Sequence, residues 1–265
     1  MESIDNPIEA TPIDDGLVVP PPRRIRIVRD GILAFLVAAA LTLAFVVAVI
    51  VVAIVLGYVH FDASQTFSPP PALWIVLLAG NQLPFLGVAL FLRWRYRSTG
   101  RPVPMLFEGV TPSAVLKGIV AGLVMAGFGV LHAMVATSLF GKASTDAMED
   151  LMRTLLASVG DPLILYGLVF SIAILAPFCE EFFFRGAIFS SVRSSPNARA
   201  AAIVSSALFA VAHLNPMMFT YYLVFGFTMC WLVSRTRTLA APIAAHMTVN
   251  ATATIAMLLG SATGN

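Results

Sequence analysis

The chain has 265 residues, of which 58% are hydrophobic and only 11% charged, with 16 Lys and Arg against 14 Asp and Glu. A soluble domain carries about 25% charged residues, so these charges cannot cover a water-facing surface, and the chain reads as an all-α, polytopic transmembrane helix bundle. The near-neutral balance gives no basic patch for nucleic acid, and two Cys exclude a disulfide scaffold or a multi-cysteine zinc module.

In chain order, residues 1–29 are acidic first, then carry Pro20-Pro21-Pro22 and Arg23, Arg24, Arg26 and Arg29. Without an apolar period they are expected to form a disordered cytoplasmic tail. Apolar runs follow at 31–59, 72–92, 114–139, 162–192, 199–214, 217–234 and 239–259. A crossing needs about 20 apolar residues, so about seven crossings are expected. The first run is far longer than a signal-peptide core of about 7–15 residues and reads as a retained anchor. The bilayer is therefore the first partner the composition implies. Residues 30–143 form the N-terminal membrane helices. Within them Gly118-x-x-x-Gly122 reads as close helix packing. Residues 144–160 differ, because Asp146 with Glu149 resembles a capping box. Met148, Leu151, Met152, Leu155 and Leu156 recur at helical spacing, which predicts an amphipathic helix lying on the membrane surface. Residues 161–260 complete the membrane core.

Orientation follows from the basic residues, which concentrate on cytoplasmic loops. With the N-terminus inside, every Lys and Arg except Lys142 and Arg153 falls on the inner side. The expected placement is a multi-pass protein of the cytoplasmic membrane, N-terminus in and C-terminus out.

Ionisable residues inside a bilayer are costly and read as functional by default. Among the acids only Glu180 and Glu181 sit within an apolar run, and Arg185 follows. Residues four apart share a helix face, so Glu181 and Arg185 are expected to pair. Glu180 projects about 100° away around the helix and is left without that partner. His132, His213 and His246 also lie in apolar runs, whereas His60 sits at a span end. Asn250 stands one turn beyond His246 on the same face. Cys179, beside Glu180, reads as a packing residue rather than a nucleophile.

Depth decides whether these groups can meet. If the fourth helix ended at Arg185, Glu180 would lie at the inner edge and His213 far across the membrane. If it continues to Arg193, Glu180 lies about 20 Å deep, His213 about 21 Å, Asn250 about 20 Å and His246 about 14 Å. The site closes only on this second geometry, with Arg185 buried beside an acid.

Such a site suits attack by water. A carboxylate in an apolar pocket can act as general base, and a His can hold the same water or protonate a leaving amine. His246 and Asn250 can donate to the oxyanion of a tetrahedral intermediate. No His-Glu-x-x-His zinc motif, Gly-x-Ser-x-Gly elbow or Gly-x-Gly-Asp motif occurs. Two acids and two His could still hold zinc, so a zinc-dependent membrane hydrolase and a non-catalytic scaffold or immunity protein remain alternatives to a protease.

At these residues the sequence resembles the CPBP intramembrane proteases, which include type II CAAX prenyl endopeptidases and bacteriocin-processing and immunity proteins. Glu180-Glu181-Phe182-Phe183-Phe184-Arg185 matches their Glu-Glu-x-x-x-Arg motif, Phe209 to His213 their Phe-x-x-x-His motif, and His246 to Asn250 their His-x-x-x-Asn/Asp motif. Phe128 to His132 fits the second motif too, but the family places that His on the helix after the two acids. The resemblance covers about 162–259. It implies an intramembrane endopeptidase without metal or other cofactor, in which Glu180 and His213 activate water. His246 and Asn250 would form the oxyanion site, with Glu181 and Arg185 supporting. The implied substrate is a membrane-associated peptide or protein.

Overall fold

A computed structural model describes residues 24–58, 70–97, 110–141, 160–190 and 198–263, and among them all regular structure is helical. The helices are α1 (Arg24–Val55), α2 (Pro71–Gly80), α3 (Gln82–Arg97) and α4 (Pro112–Phe140). They continue with α5 (Pro162–Phe189), α6 (Ala198–Ala212), α7 (Phe219–Thr236) and α8 (Ala240–Thr263). Residues 144–159 of the expected surface helix, residues 1–23 of the tail and His60 lie outside the described residues. The remainder of the tail is corrected, since α1 begins at Arg24. Arg is a strong helix former, so the first span's backbone ladder extends into residues expected to be irregular.

Five helical stretches are long and apolar enough to cross a membrane: Arg29–Val55, Ala72–Arg95, Pro112–Phe140, Pro162–Phe189 and Ala240–Gly260. Their outward residues agree with that reading. Leu33, Leu43 and Val55 on α1, and Val124, Val130 and Leu139 on α4, are all exposed. The other two expected crossings are α6 and α7, of 15 and 18 residues. They span about 22 and 27 Å, short of a hydrocarbon core of about 30 Å. The turn at Asn215-Pro216 cuts them short. There the Asn215 side chain accepts from the backbone N–H of Met217 and Met218, which closes the turn that leads into α7.

α5 is the central helix, touching α2, α3, α6, α7 and α8. It is not a uniform α-helix. Pro162–Phe170 and Ala176–Glu181 are α-helical, whereas Ser171–Leu175 and Phe182–Phe189 widen to π-helix. Pro177 accounts for the first widening, because its ring collides with the carbonyl four residues back. From Glu181 to Ser190 every residue is buried. Phe183 and Phe184 pack there against Phe85 of α3 and against Phe35 of α1 and Phe209 of α6.

α8 is held by α4, the most extensive helix pair in the fold. Gly118 and Gly122 make it so close. A Cβ on Gly118 would collide with the Ala241 carbonyl oxygen, and one on Gly122 would lie 2.5 Å from that of Ala245. The small-residue pair thus lets α4 rest directly on the α8 backbone, next to His246. Gly127, on the same helix, has open space where its Cβ would stand. Gly122→Ala is therefore expected to lower the thermal midpoint in detergent, at a cost of about 1–3 kcal/mol. Gly127→Ala is expected to leave it unchanged or raise it, since Ala is favoured over Gly in a helix by up to about 1 kcal/mol. Equal midpoints for the two variants would remove this account of the α4–α8 contact.

Candidate active site

Three charged or polar side chains meet in the middle of the bundle. Glu181 and Arg185 are fully buried, and Arg185 Nη1 donates to Glu181 Oε1 at 2.9 Å. His246 Nδ1 donates to the same oxygen from α8, also at 2.9 Å. Arg185 Nη2 reaches the Gly226 carbonyl of α7 at 3.3 Å. Its guanidinium lies 4.5 Å from the centre of the Phe209 ring, a cation–π distance. Helices α5, α6, α7 and α8 are thus tied at one ion pair. Gly226 permits this, since a Cβ there would stand 2.7 Å from that of Ser206 on α6.

Beside this knot lies a cavity of about 300 Å³ lined by Glu180, His213, Tyr222, His246 and Asn250, with a mostly apolar remaining wall that includes Ala176, Phe225, Val249 and Met257. Glu180 projects into it, 4.0 Å from His246 Nε2, and its Oε2 has no hydrogen-bond partner. His213 follows the last residue of α6, where its Nδ1 donates to the Phe209 carbonyl at 2.9 Å. A carbonyl only accepts, so Nδ1 carries the proton and a neutral ring keeps its Nε2 lone pair free. His246 is set by the same logic. With Nδ1–H on Glu181, its Nε2 donates into the cavity only when the ring is protonated.

Asn250 enters through the first π-turn of α5. The Ala176 N–H bonds to the Ser171 carbonyl, and Pro177 has no N–H. The Ile172 carbonyl is thereby left without either of its usual chain donors, and Asn250 Nδ2 supplies one at 2.9 Å. An amide nitrogen carries two hydrogens, so the second remains for the cavity. The second π-turn is satisfied in a similar way, with Ser190 and Ser205 hydroxyls donating to the carbonyls of Arg185 and Phe184.

The structure therefore gathers Glu180, His213, His246 and Asn250 on one cavity and sets Glu181 and Arg185 behind it. α5 continues past Arg185, which is the geometry the depth argument requires. His132, the competing match to the second motif, lies apart and bonds Thr220 at 2.6 Å. The bond from Glu181 to His246 and the place of Tyr222 in the cavity were not read from the sequence. Both join helices distant in the chain, and only Tyr222 left a trace, as one of two aromatic hydroxyls soon after the Asn215-Pro216 turn. Phe209 is the other surprise. Its ring packs on Arg185, on His213 at 4.5 Å between centroids and edge-on to His246 at 5.8 Å, so the motif phenylalanine is a common wall of the site.

Comparison with known proteins agrees with the motifs. Residues 162–252 match the family model described as type II CAAX prenyl endopeptidase Rce1-like. Over 78 residues the chain is 33% identical to a Bacillus subtilis (strain 168) protein named "Putative membrane peptidase YdiL". That alignment covers 29% of this chain and 32% of the relative, so the chain spans about a third of the curated protein it matches. No solved structure matches. The three motifs fall in order within this matched stretch, so residues 162–252 are similar to the type II CAAX prenyl endopeptidase Rce1-like family.

Proposed function

We propose that the chain is an intramembrane endopeptidase of the glutamate type. The observation that carries this reading is the unpartnered Glu180 Oε2 at a cavity shared with His213, His246 and Asn250. Glu180 takes a proton from a water whose other hydrogen is held by His213 Nε2. The water oxygen attacks the peptide carbonyl carbon. The resulting oxyanion is met by the Nε2–H of protonated His246 and the free amide hydrogen of Asn250, both side chains being oriented by Glu181 and the Ile172 carbonyl. The proton held by Glu180 then passes to the departing nitrogen, the C–N bond breaks, and an acid and an amine leave. Glu181 and Arg185 support the reaction by holding His246.

The substrate proposed is a membrane-associated peptide or protein, since the cavity lies within a helix bundle built to stand in lipid. The distribution of Lys and Arg places the N-terminus in the cytoplasm and the chain in the cytoplasmic membrane.

Glu180→Gln and His213→Ala are each expected to lower kcat by about 10²–10⁴-fold, with the protein still accumulating in the membrane. Comparison of membrane peptides from cells carrying the wild type and Glu180→Ala identifies the substrate as the uncut peptide that builds up in the variant. Identical peptide profiles would overturn the protease reading. Cleavage is also expected to proceed at its control rate in the presence of EDTA or 1,10-phenanthroline, and loss of activity restored by added zinc would establish a metallo-hydrolase instead.

The ion pair makes a separate prediction. Arg185→Met strands the Glu181 charge in the core and is expected to cost about 3–5 kcal/mol of stability. Adding Glu181→Met should recover much of that loss, because a buried pair can be replaced by apolar groups at little cost. Thermal midpoints in detergent measure both, and a double variant no more stable than Arg185→Met would contradict the pairing. Cleavage should stay low in the double variant, since His246 has lost its Glu181 anchor.

A further inference from the structure

We infer that Tyr222 is a positioning residue that fixes the plane of the His213 imidazole; the inference rests on the protease reading above. His213 is badly placed to hold its own orientation. It stands just beyond the end of α6, and the next residue, Leu214, takes a left-handed backbone with φ 50°. The single hydrogen bond from Nδ1 to the Phe209 carbonyl fixes one atom of the ring and leaves the ring free to swing about that bond. The swing is stopped by contacts on the ring itself. Tyr222 stacks on it with centroids 3.9 Å apart and planes 27° apart, while Phe209 touches it at 4.5 Å and 51°.

Tyr222 is itself well fixed. It belongs to the first turn of α7, which follows the turn closed by Asn215, and its backbone N–H bonds to the Met218 carbonyl at 2.9 Å. Tyr221 packs edge-on against it at 5.4 Å, and Phe209 does so at 6.3 Å. The α6–α7 turn thus carries the His on one side and its clamp on the other. A rotation of the imidazole would move Nε2 off the water between it and Glu180, and a displacement of about 1 Å in such a site costs about 10²-fold in rate.

The clamp acts through its ring, so replacement of the hydroxyl and replacement of the ring have different effects. The test uses the full chain in detergent and a quenched fluorogenic peptide built on the membrane peptide that accumulates with Glu180→Ala. Tyr222→Phe, which keeps the ring, should lower kcat far less than Tyr222→Leu. Tyr222→Leu should lower kcat by up to about 10²-fold, a larger effect than on KM. Tyr222→Met serves if the Leu variant does not accumulate. A second readout does not depend on turnover. With ¹³C placed at histidine Cε1, the His213 signal, assigned by its loss in His213→Ala, should move when the stacked ring is removed and stay in place in Tyr222→Phe. Wild-type kcat in Tyr222→Leu, or an equal loss in Tyr222→Phe, would overturn the inference while the protease reading stands. A wild type that fails to cleave would overturn both.

Discussion

A single carboxylate oxygen, Glu181 Oε1, accepts from Arg185 and from His246 at once, and the site is assembled around it. Arg185 cannot shed its proton, and a lone guanidinium in the membrane core is expensive, so an anion must stand beside it. The remaining Glu181 oxygen and Arg185 Nε have no partners. The charge compensation is therefore concentrated at this one junction. Because its members come from α5 and α8, with Gly226 of α7 and Phe209 of α6 closing the shell, the cost of separating them holds four helices in register. Gly118 and Gly122 add the outer constraint, letting α4 press on the α8 backbone where His246 departs from it.

A second constraint is a missing hydrogen. Pro177 removes the N–H that the widened turn would have offered to the Ile172 carbonyl, and Asn250 replaces it. Without that carbonyl the amide would be free to turn over, and either its oxygen or its nitrogen could face the cavity. With it, Nδ2 is the atom turned toward α5. The local defect in one helix thus selects the orientation of a side chain on another. This is a physical reason for π-helix to occur here rather than elsewhere in the bundle.

Much of this was legible in the sequence because charges are rare in it. Glu180, Glu181 and Arg185 stand out in an apolar run, their spacing gives the pair, and the depth argument requires α5 to pass through Arg185 as it does. The helical class and the boundaries of α4 and α8 follow from apolar run length and from Pro and Gly at the ends. Less was legible where an outcome depends on contacts between helices. Periodicity cannot show that His246 turns Nδ1 toward Glu181, that Tyr222 lies on His213, or that Phe209 serves Arg185 and two His together. The α6–α7 pair is expected as two crossings, but α6 is cut to 15 residues at Asn215-Pro216, and α7, at 18 residues, is less apolar than the five membrane spans.

The spacing of the first motif also determines which acid faces the cavity. Successive residues on a helix diverge by about 100°, so of two adjacent acids only one can face the core while the other faces a cavity on its flank. An Arg four residues after the second acid lies above Glu181 and below neither oxygen of Glu180. Glu181 is thereby given its cation and Glu180 keeps an unpartnered oxygen. Were the Arg one residue earlier, it would stand over Glu180 and the roles would exchange, placing the free carboxylate in the core, out of reach of water. The distance of four residues, rather than the acids themselves, leaves Glu180 as the carboxylate that faces the cavity.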